Sequence, residues 1–340
     1  MTRVIGWDLG GANVKVACVH DGRVVRVAQI PCPIMAERSK FDAAVDAALA
    51  LMSSPALHVV TMTGELSDVF SDRAEGVAYL VNLMQRVAAH QPLRIYAGRS
   101  GFLRPEDAKH RALEVASANW HATAAFVARH RPDALLVDVG TTTTDLIPIK
   151  GGAVTTRGAT DADRLTEGEL LYTGVVRTPV MAVAHSASFK GRVQRLAAER
   201  FATMADVWRL AGELPLDADR YPAADQRGKS VAESAARLAR MLGRDGSDAG
   251  LTEWVALARY FTDCQLAEIE HAARGLTERD ALALNAPVIG AGCGRFVARR
   301  LAERLGRASV DFGDLIDAAT NTRDAAARCA PAVAVALLAS

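Results

Sequence analysis

Two short segments carry the residue types that hold phosphate. The first is Gly6-Trp7-Asp8-Leu9-Gly10-Gly11-Ala12-Asn13-Val14-Lys15. Gly10 and Gly11 let backbone N–H groups approach an anion without a side-chain clash. Asn13 adds a hydrogen bond and Lys15 a charge. Asp8 cannot attract phosphate itself, but it can hold the water shell of a Mg²⁺ ion. Alone, the segment reads equally well as a tight hairpin with a solvated aspartate. It is neither a dinucleotide fingerprint nor a Walker A loop, because neither spacing is present. The second segment runs from Leu135 through Asp138, Gly140, Thr141, Thr142, Thr143, Thr144 and Asp145 to Ile149. An apolar strand delivers Asp138 to its end, and the threonines bring hydroxyls and backbone N–H groups. By itself this is a threonine-rich strand. Two such turns in matching places favour a site. Asp8, Asp138 and Asp145 are the candidate Mg²⁺ holders, directly or through water, and Asp8 and Asp138 are candidate catalytic residues.

A third segment, Pro287-Val288-Ile289-Gly290-Ala291-Gly292-Cys293-Gly294-Arg295-Phe296, is strand, glycine turn and helix. A helix start of this kind can accept an anion or sit beside a ring. Gly290, Gly292 and Gly294 are its candidate binding positions. Cys293 has no histidine near it in sequence and reads as a small packed residue rather than a nucleophile.

The elements that must position these turns repeat. Val4 to Asp8, Asn13 to Val19 and Arg23 to Ile30 read as three antiparallel strands. Phe41, Val45, Leu49 and Met52 recur at helical spacing. Leu57 to Met62 is a strand, Val77 to Val87 lies on a helix, Leu93 to Ala97 is a strand and Asp107 to Val127 is mostly helical. That order is one ribonuclease H-like half. Ala134 to Val139 starts it again. The strongly helical stretch at about 201–275 interrupts the second half as an insertion. Ala286 to Gly290 returns to a strand, Phe296 to Leu305 to a helix, and Ala326 to Leu338 closes the chain as one helix. The expected fold is α/β: duplicated ribonuclease H-like domains, at 1–130 and 131–340, with a central cleft.

Length and composition agree. The 340 residues are half hydrophobic and 23% charged, enough for two domains with a sizeable core. Lys plus Arg is 40 against 39 for Asp plus Glu, so no basic bias points to nucleic acid. The five cysteines form no CxxC pair, which argues against a disulfide or zinc framework and for a reducing cytoplasm. Asp8 and the glycines arrive before any long apolar stretch, so no signal peptide is expected, and the longest apolar run, 331–339, is too short to span a membrane. A homo-oligomer is left open.

The three segments resemble the first phosphate, second phosphate and nucleoside-binding elements of the sugar kinase, heat-shock ATPase and actin superfamily, the actin-like ATPases. Within it, Asp138 to Asp145 is similar to the second element of the hydantoinase A and oxoprolinase-like branch. The stretches 63–70, 117–124 and 166–179 resemble a small family linked to tetrahydromethanopterin one-carbon metabolism and methanofuran biosynthesis. That resemblance implies a transferase. It would join an aminomethylfuran-methyl diphosphate to the phenol of a γ-glutamyltyramine or tyrosine-type acceptor, forming an aryl ether and releasing diphosphate, with Mg²⁺. In methylotrophic bacteria it implies a link to formaldehyde oxidation. The alternative is an ATP-dependent small-molecule kinase of the same fold. A hydantoinase-like amidohydrolase and a non-enzymatic sensor rank below both.

Under the implied reaction, several polar residues gain candidate roles. Glu65 is either the base near the phenol or an acid matching a helix dipole. Asn119 positions substrate. Trp120 walls an aromatic pocket or packs, and His121 reads as structural. Arg157, Arg164 and Arg177 bind carboxylate or diphosphate, or lie on the surface. Tyr172 shapes the aromatic pocket. Arg227 and Lys229, around Gly228, form a basic loop that closes over the diphosphate or is simply solvated.

Overall fold

The computed structural model describes residues 3–32, 37–52 and 56–340. Its first sheet begins with β1 (Arg3–Leu9), β2 (Asn13–His20) and β3 (Arg23–Pro31), the antiparallel trio expected from the sequence. Helix α1 (Ser39–Leu49) leads to β4 (Leu57–Met62), which runs parallel to β1. Helix α2 (Arg73–Ala88) leads to β5 (Leu93–Tyr96), parallel to β4, and a short β6 (Phe102–Leu103) completes the order β3-β2-β1-β4-β5-β6. The helical stretch that follows is broken into α3 (Pro105–His110), α4 (Ala112–Val115) and α5 (Asn119–His130). The break falls at Ser117, whose φ of 53° no helix allows.

The second half repeats the arrangement. β7 (Ala134–Val139) and β8 (Thr144–Lys150) are followed by β9 (Ala153–Val154), α6 (Asp161–Thr166) and β10 (Leu170–Leu171). Helix α7 (Val180–Val183) and a separate hairpin of β11 (Ser186–Phe189) and β12 (Arg192–Arg195) precede the helical insertion. That insertion is α8 (Met204–Leu210), α9 (Val231–Arg240) and α10 (Leu251–Arg279), with irregular chain between the first two. β13 (Val288–Ala291), α11 (Arg295–Leu305) and β14 (Ser309–Asp311) complete a sheet of order β10-β8-β7-β13-β14. In both sheets the opening strand of the half lies between its hairpin partner and the strand that returns after a helix. The carboxylates Asp8 and Asp138 therefore ride on the central strands.

The expected single closing helix is two, α12 (Thr320–Arg328) and α13 (Ala330–Ala339), parted at Cys329. Pro331 explains the break, since proline is tolerated in the first turn of a helix and not inside one. By contacts the chain divides into one unit of residues 1–136, 147–167 and 310–340, and another of 137–146 and 168–309. These units do not follow a single cut at 130/131, because α12 and α13 join the first unit. The apolar α13 packs on β1, β2, β4 and α5 and is buried through Ala336. It is a core helix, and no helix of the described residues is long and apolar enough to cross a membrane.

Gly6 makes that packing feasible. A Cβ there would lie 2.1 Å from the backbone oxygen of Ala332 and 2.8 Å from the Ala336 methyl. Gly275, on an exposed face of α10, has open space where its Cβ would be. Gly6→Ala is expected to lower unfolding free energy by about 2–3 kcal/mol, and Gly275→Ala to raise it by about 0.5–1 kcal/mol. Urea unfolding of both variants checks this. Equal effects would show that α13 yields at no cost.

Candidate functional site

In the first unit, the β1–β2 turn is closed by Gly10 N donating to Asn13 O at 3.1 Å. A Cβ at Gly10 would meet that oxygen at 2.9 Å and Thr63 Oγ1 at 3.4 Å. Asp8 and Asn13 are both buried. Lys15 faces Asp8 across the strand pair, and its Nζ donates to Asp8 Oδ2 at 3.1 Å. The lysine expected to meet an incoming anion therefore also neutralises the aspartate. Asp8 Oδ1 and Asn13 Oδ1 are buried with no hydrogen-bond partner among the described residues. Gly11 lies half-buried in the same turn.

The end of β4 abuts this turn, with Thr63 N donating to Leu9 O at 3.0 Å. Two glycines then press Glu65 inward. A Cβ at Gly64 would meet the Phe41 ring at 2.7 Å, and one at Gly76 would meet Glu65 backbone at 2.6 Å. Glu65 is left 1% exposed. Its Oε1 accepts from Ser117 N at 2.9 Å and Ser117 Oγ at 3.3 Å, while Oε2 is buried and unpartnered among the described residues. Ser117 Oγ also lies 3.4 Å from Asp161 Oδ2. One hydroxyl proton thus serves two carboxylates. Burial, with a smaller push from Asp161, raises the Glu65 pKa to about 7 against the opposing hydrogen bonds from Ser117. Asp161 is a site residue that the sequence reading missed. Only its place in the first turn of α6 marked it, and that signal is common to many helix starts.

Around this pair, Arg164 is buried with its guanidinium 4.0 Å over the Trp120 ring. Both of the roles considered for Trp120 are thereby narrowed: its ring packs against a cation. Asn119 Oδ1 accepts from Trp120 N at 2.8 Å, tying that amide at the start of α5. His121 contacts Tyr96 Oη at 2.8 Å, and burial, aided by Arg99 and Arg164, lowers its pKa to about 4. It is a neutral, bonded imidazole, as the sequence reading preferred. Arg157 is exposed, 3.9 Å from Glu167.

In the second unit, the matching turn is closed by Gly140 N to Thr143 O at 2.9 Å. The loop after β10 docks on it: Val175 N donates to Gly140 O, and Val176 and Arg177 N both donate to Thr141 O. Gly174 permits this approach, since its Cβ would lie 2.5 Å from Thr142 N. Gln265, buried on α10, holds the loop from behind. Its Nε2 donates to Thr173 Oγ1 at 2.9 Å and Gly174 O at 3.0 Å, and its Oε1 accepts from Trp208 Nε1 at 2.8 Å. No sequence motif marked Gln265. The third glycine segment also packs here. Gly292, at φ 82°, would place a Cβ 2.4 Å from Asp138 Oδ1, and Gly294 N donates to Val139 O at 2.8 Å. Gly290 closely meets Ala298. At Gly292 and Gly294 a side chain would collide with the end of β7.

The remaining candidates are more scattered. Asp138, Thr141, Thr142, Thr143 and Asp145 are half-buried, and Tyr172 is exposed. Lys229 Nζ donates to Asp219 O at 2.7 Å and Arg227 is exposed. Their loop is anchored by Glu233, which accepts from Gly228 N and Ser230 N, and by buried Arg237, which donates to Gly228 O. Among the described residues no three His, Cys, Asp or Glu side chains group to hold a metal ion.

The buried acid gives a measurable signature. A carboxyl whose folded pKa is raised from 4.5 to about 7 favours the fold below 4.5 and loses that contribution as pH rises through 7. Glu65→Gln should abolish this loss. Between pH 4.5 and 8 the variant should gain on wild type by on the order of 2–3 kcal/mol, read by urea unfolding at both pH values. Parallel pH profiles would mean that Glu65 titrates normally.

Comparison with known proteins places this geometry. Residues 57–336 match the family described as Hydantoinase/oxoprolinase. The chain is 32% identical over 243 residues to a Methanocaldococcus jannaschii protein, covering 71% of this chain and 72% of that one. That protein is named (4-{4-[2-(gamma-L-glutamylamino)ethyl]phenoxymethyl}furan-2-yl)methanamine synthase. A Methanococcus vannielii protein of the same name is 41% identical over 73 residues, 22% of this chain and 32% of that one. Among solved structures, nucleotide-free acetone carboxylase superposes with a TM-score of 0.58 at 11% identity, over 90% of this chain and 67% of that one. The structural likeness concerns the fold, which is the actin-like ATPase fold expected from the sequence. With the sequence match spanning most of its length, the chain belongs to the hydantoinase/oxoprolinase family.

Proposed function

We propose that this chain is an aryl-ether-forming transferase of methanofuran biosynthesis. It would join an aminomethylfuran-methyl diphosphate to the phenol of a γ-glutamyltyramine or tyrosine-type acceptor. The observation that carries this reading is the 32% identity, across 71% of the chain, to the Methanocaldococcus synthase. The site adds a physical rationale: a buried carboxyl with a pKa near neutrality beside a phosphate-type turn.

In the reaction, the bond between the furan-methyl carbon and the diphosphate oxygen breaks, and the leaving group keeps the electron pair. The furan ring stabilises the electron-poor carbon. The phenol oxygen forms the new bond to that carbon and gives up its proton. Glu65, ionised above pH 7, would take it. Its burial also keeps water from the carbon, which would otherwise yield the alcohol. Gly10, Gly11 and Asn13 in one unit, and Gly140, Thr141, Thr142 and Thr143 in the other, each offer backbone and side-chain donors to phosphate oxygens.

Mg²⁺ fits the first turn, because Asp8 Oδ1 and Asn13 Oδ1 are buried oxygens without a protein donor among the described residues. Asp138 and Asp145 offer the same oxygen chemistry at the second. Mg²⁺ takes few protein ligands and completes its shell with water and phosphate, so a three-carboxylate cluster is not required. When bound, the ion neutralises charge on the departing diphosphate. The reading also places the protein in the cytoplasm, serving tetrahydromethanopterin-linked one-carbon metabolism and, in a methylotroph, formaldehyde oxidation.

Purified protein with Mg²⁺, the furan diphosphate and γ-glutamyltyramine should release one diphosphate per ether formed, with no need for ATP. Mass spectrometry, with phosphate and diphosphate assayed separately, reads the outcome. Stoichiometric ADP formation on a small alcohol, without ether, would replace the transferase with a kinase. Glu65→Gln should lower kcat about a hundredfold and erase an acidic limb in kcat/KM near pH 7. Asp138→Asn should weaken Mg²⁺-dependent diphosphate binding more than it lowers the unfolding midpoint. Unchanged Mg²⁺ dependence would remove Asp138 from the metal site.

A further inference from the structure

Between Glu65 and Asp161, both in the first unit, stands a single hydroxyl. Ser117 Oγ is 3.3 Å from Glu65 Oε1 and 3.4 Å from Asp161 Oδ2. A serine hydroxyl has one proton to donate, so only one of the two carboxylates receives it at a time. The near-equal distances leave the choice to charge. A charged carboxylate takes a hydrogen bond about twice as strongly as a neutral one. Asp161 is half-buried and acts on Glu65 as a negative charge. Glu65 is buried and its Oε1 already accepts the Ser117 amide at 2.9 Å. While Glu65 carries a proton, the Ser117 hydroxyl therefore donates to Asp161.

The other charges on the elements around Glu65 are mostly engaged elsewhere. On α1, Asp42 accepts from Tyr79 and pairs with Arg86. On α2, Arg73 is half-buried one turn before Gly76, and Glu75 accepts from Ser71 and Arg38. On α6, Arg164 lies over Trp120, and Asp163 accepts from Thr160. On α5, His121 is bonded to Tyr96. At the end of β1, Asp8 is bonded to Lys15.

Resting on the reading of Glu65 as the proton acceptor, we infer that Asp161 is a positioning residue: it holds the Ser117 hydroxyl proton and so withholds from Glu65 a hydrogen bond that would weaken it as a base. Glu65 is anchored through Oε1 by the Ser117 amide. Its Oε2, unpartnered among the described residues, is the oxygen left for the phenol proton. As Oε2 gains that proton the carboxyl becomes neutral, and the hydroxyl stays with the anion on Asp161. A hydroxyl given to Glu65 instead would favour its charged form and lower its affinity for a proton. The negative charge of Asp161 works in the same direction, by repulsion.

Asp161→Asn removes the competing anion, and the new amide can donate to Ser117 Oγ, which turns the hydroxyl to Glu65. The start of α6 is capped by Thr160 and Asp163 rather than by Asp161, so this variant should fold. Ser117→Gly deletes the hydroxyl, keeps the amide and accepts the φ of 53°. The readout is the titration of Glu65 itself, by carbon-13 NMR of labelled glutamate carboxyls on the full chain without substrate, with Glu65→Gln to assign the signal. Asp161→Asn should titrate about one pH unit below wild type. Ser117→Gly should barely move the wild-type midpoint but should raise that of Asp161→Asn, because only there does Glu65 have the hydroxyl to lose. Bare charge repulsion would instead give additive shifts. An unchanged midpoint in Asp161→Asn, or the same Ser117→Gly shift with and without Asp161, would overturn the inference. In the ether-forming assay the acidic limb of kcat/KM should move down together with the NMR midpoint. Midpoints that move as stated while the limb stays put would keep the shared proton and discard Glu65 as the base for the phenol.

Discussion

The local chemistry depends on one constraint: a carboxyl group is kept out of water. Glu65 is enclosed because the chain at Gly64 and Gly76 has no side chain to hold it open. The backbone of α2 and the end of β4 can then close on it from two sides. Ser117 supplies two hydrogen bonds, yet burial outweighs them and the proton is retained to about pH 7. The cost is borne by the backbone, since Ser117 must adopt a left-handed φ to bring its N–H inward. That bend also breaks the helical run into α4 and α5 and fixes where Asn119, Trp120 and His121 begin. A group poised to gain or lose a proton near neutrality is the usual equipment of acid–base catalysis. Here it is assembled from glycines and a strained serine, with Asp161 as a further acid nearby.

The second unit solves a different problem. A turn of glycine and threonines has many donors and no reason to hold one shape. The loop after β10 gives it one, through hydrogen bonds to Gly140 and Thr141 carbonyls that leave other polar groups of the turn for a ligand. Gln265 then fixes that loop to α10, so the helical insertion stands behind the turn as a support. Behind it again, Trp208 satisfies the remaining oxygen of Gln265. A fully bonded buried amide of this kind specifies one arrangement, because any shift leaves polar atoms unpaired.

Much of this was legible in the chain. β4 and β7 fall where their apolar runs end, since period and length mark buried strands well. The two aspartates at strand ends, with glycines after them, were visible for the same reason. Less was visible wherever three-dimensional contact sets the role. Gly290, Gly292 and Gly294 look like a ligand turn in sequence, and in the fold the missing side chains of Gly292 and Gly294 also admit the end of β7, while Gly290 faces Ala298 and Arg295 of α11. Arg164 reads as a surface cation, yet it is buried on Trp120 because Gly158 lets its stem pass, a Cβ there lying only 2.5 Å from Arg164 Cγ. Asp161 and Gln265 carry no local signature, since their partners lie far away in the chain. Lys229 looked available for an anion and is bound to Asp219.

The repeated strand order bears on how such a protein can change its chemistry without changing its fold. Donor-rich turns at the ends of central strands bind phosphate oxygens irrespective of which bond to them will break. What distinguishes phosphoryl transfer from carbon–oxygen cleavage is the atom presented to the nucleophile and the group that takes its proton. In this chain the candidate proton acceptor, Glu65, is not part of either phosphate-type turn. It sits after β4, and its environment comes from α2, the bend at Ser117 and α6. Those parts lie outside both turns, and the chain just before Glu65 meets the end of β1 through the Thr63–Leu9 hydrogen bond and the packing around Gly64. On the proposed reading, the turns hold phosphate and the enclosure of Glu65 decides which reaction is carried out on the molecule that bears it.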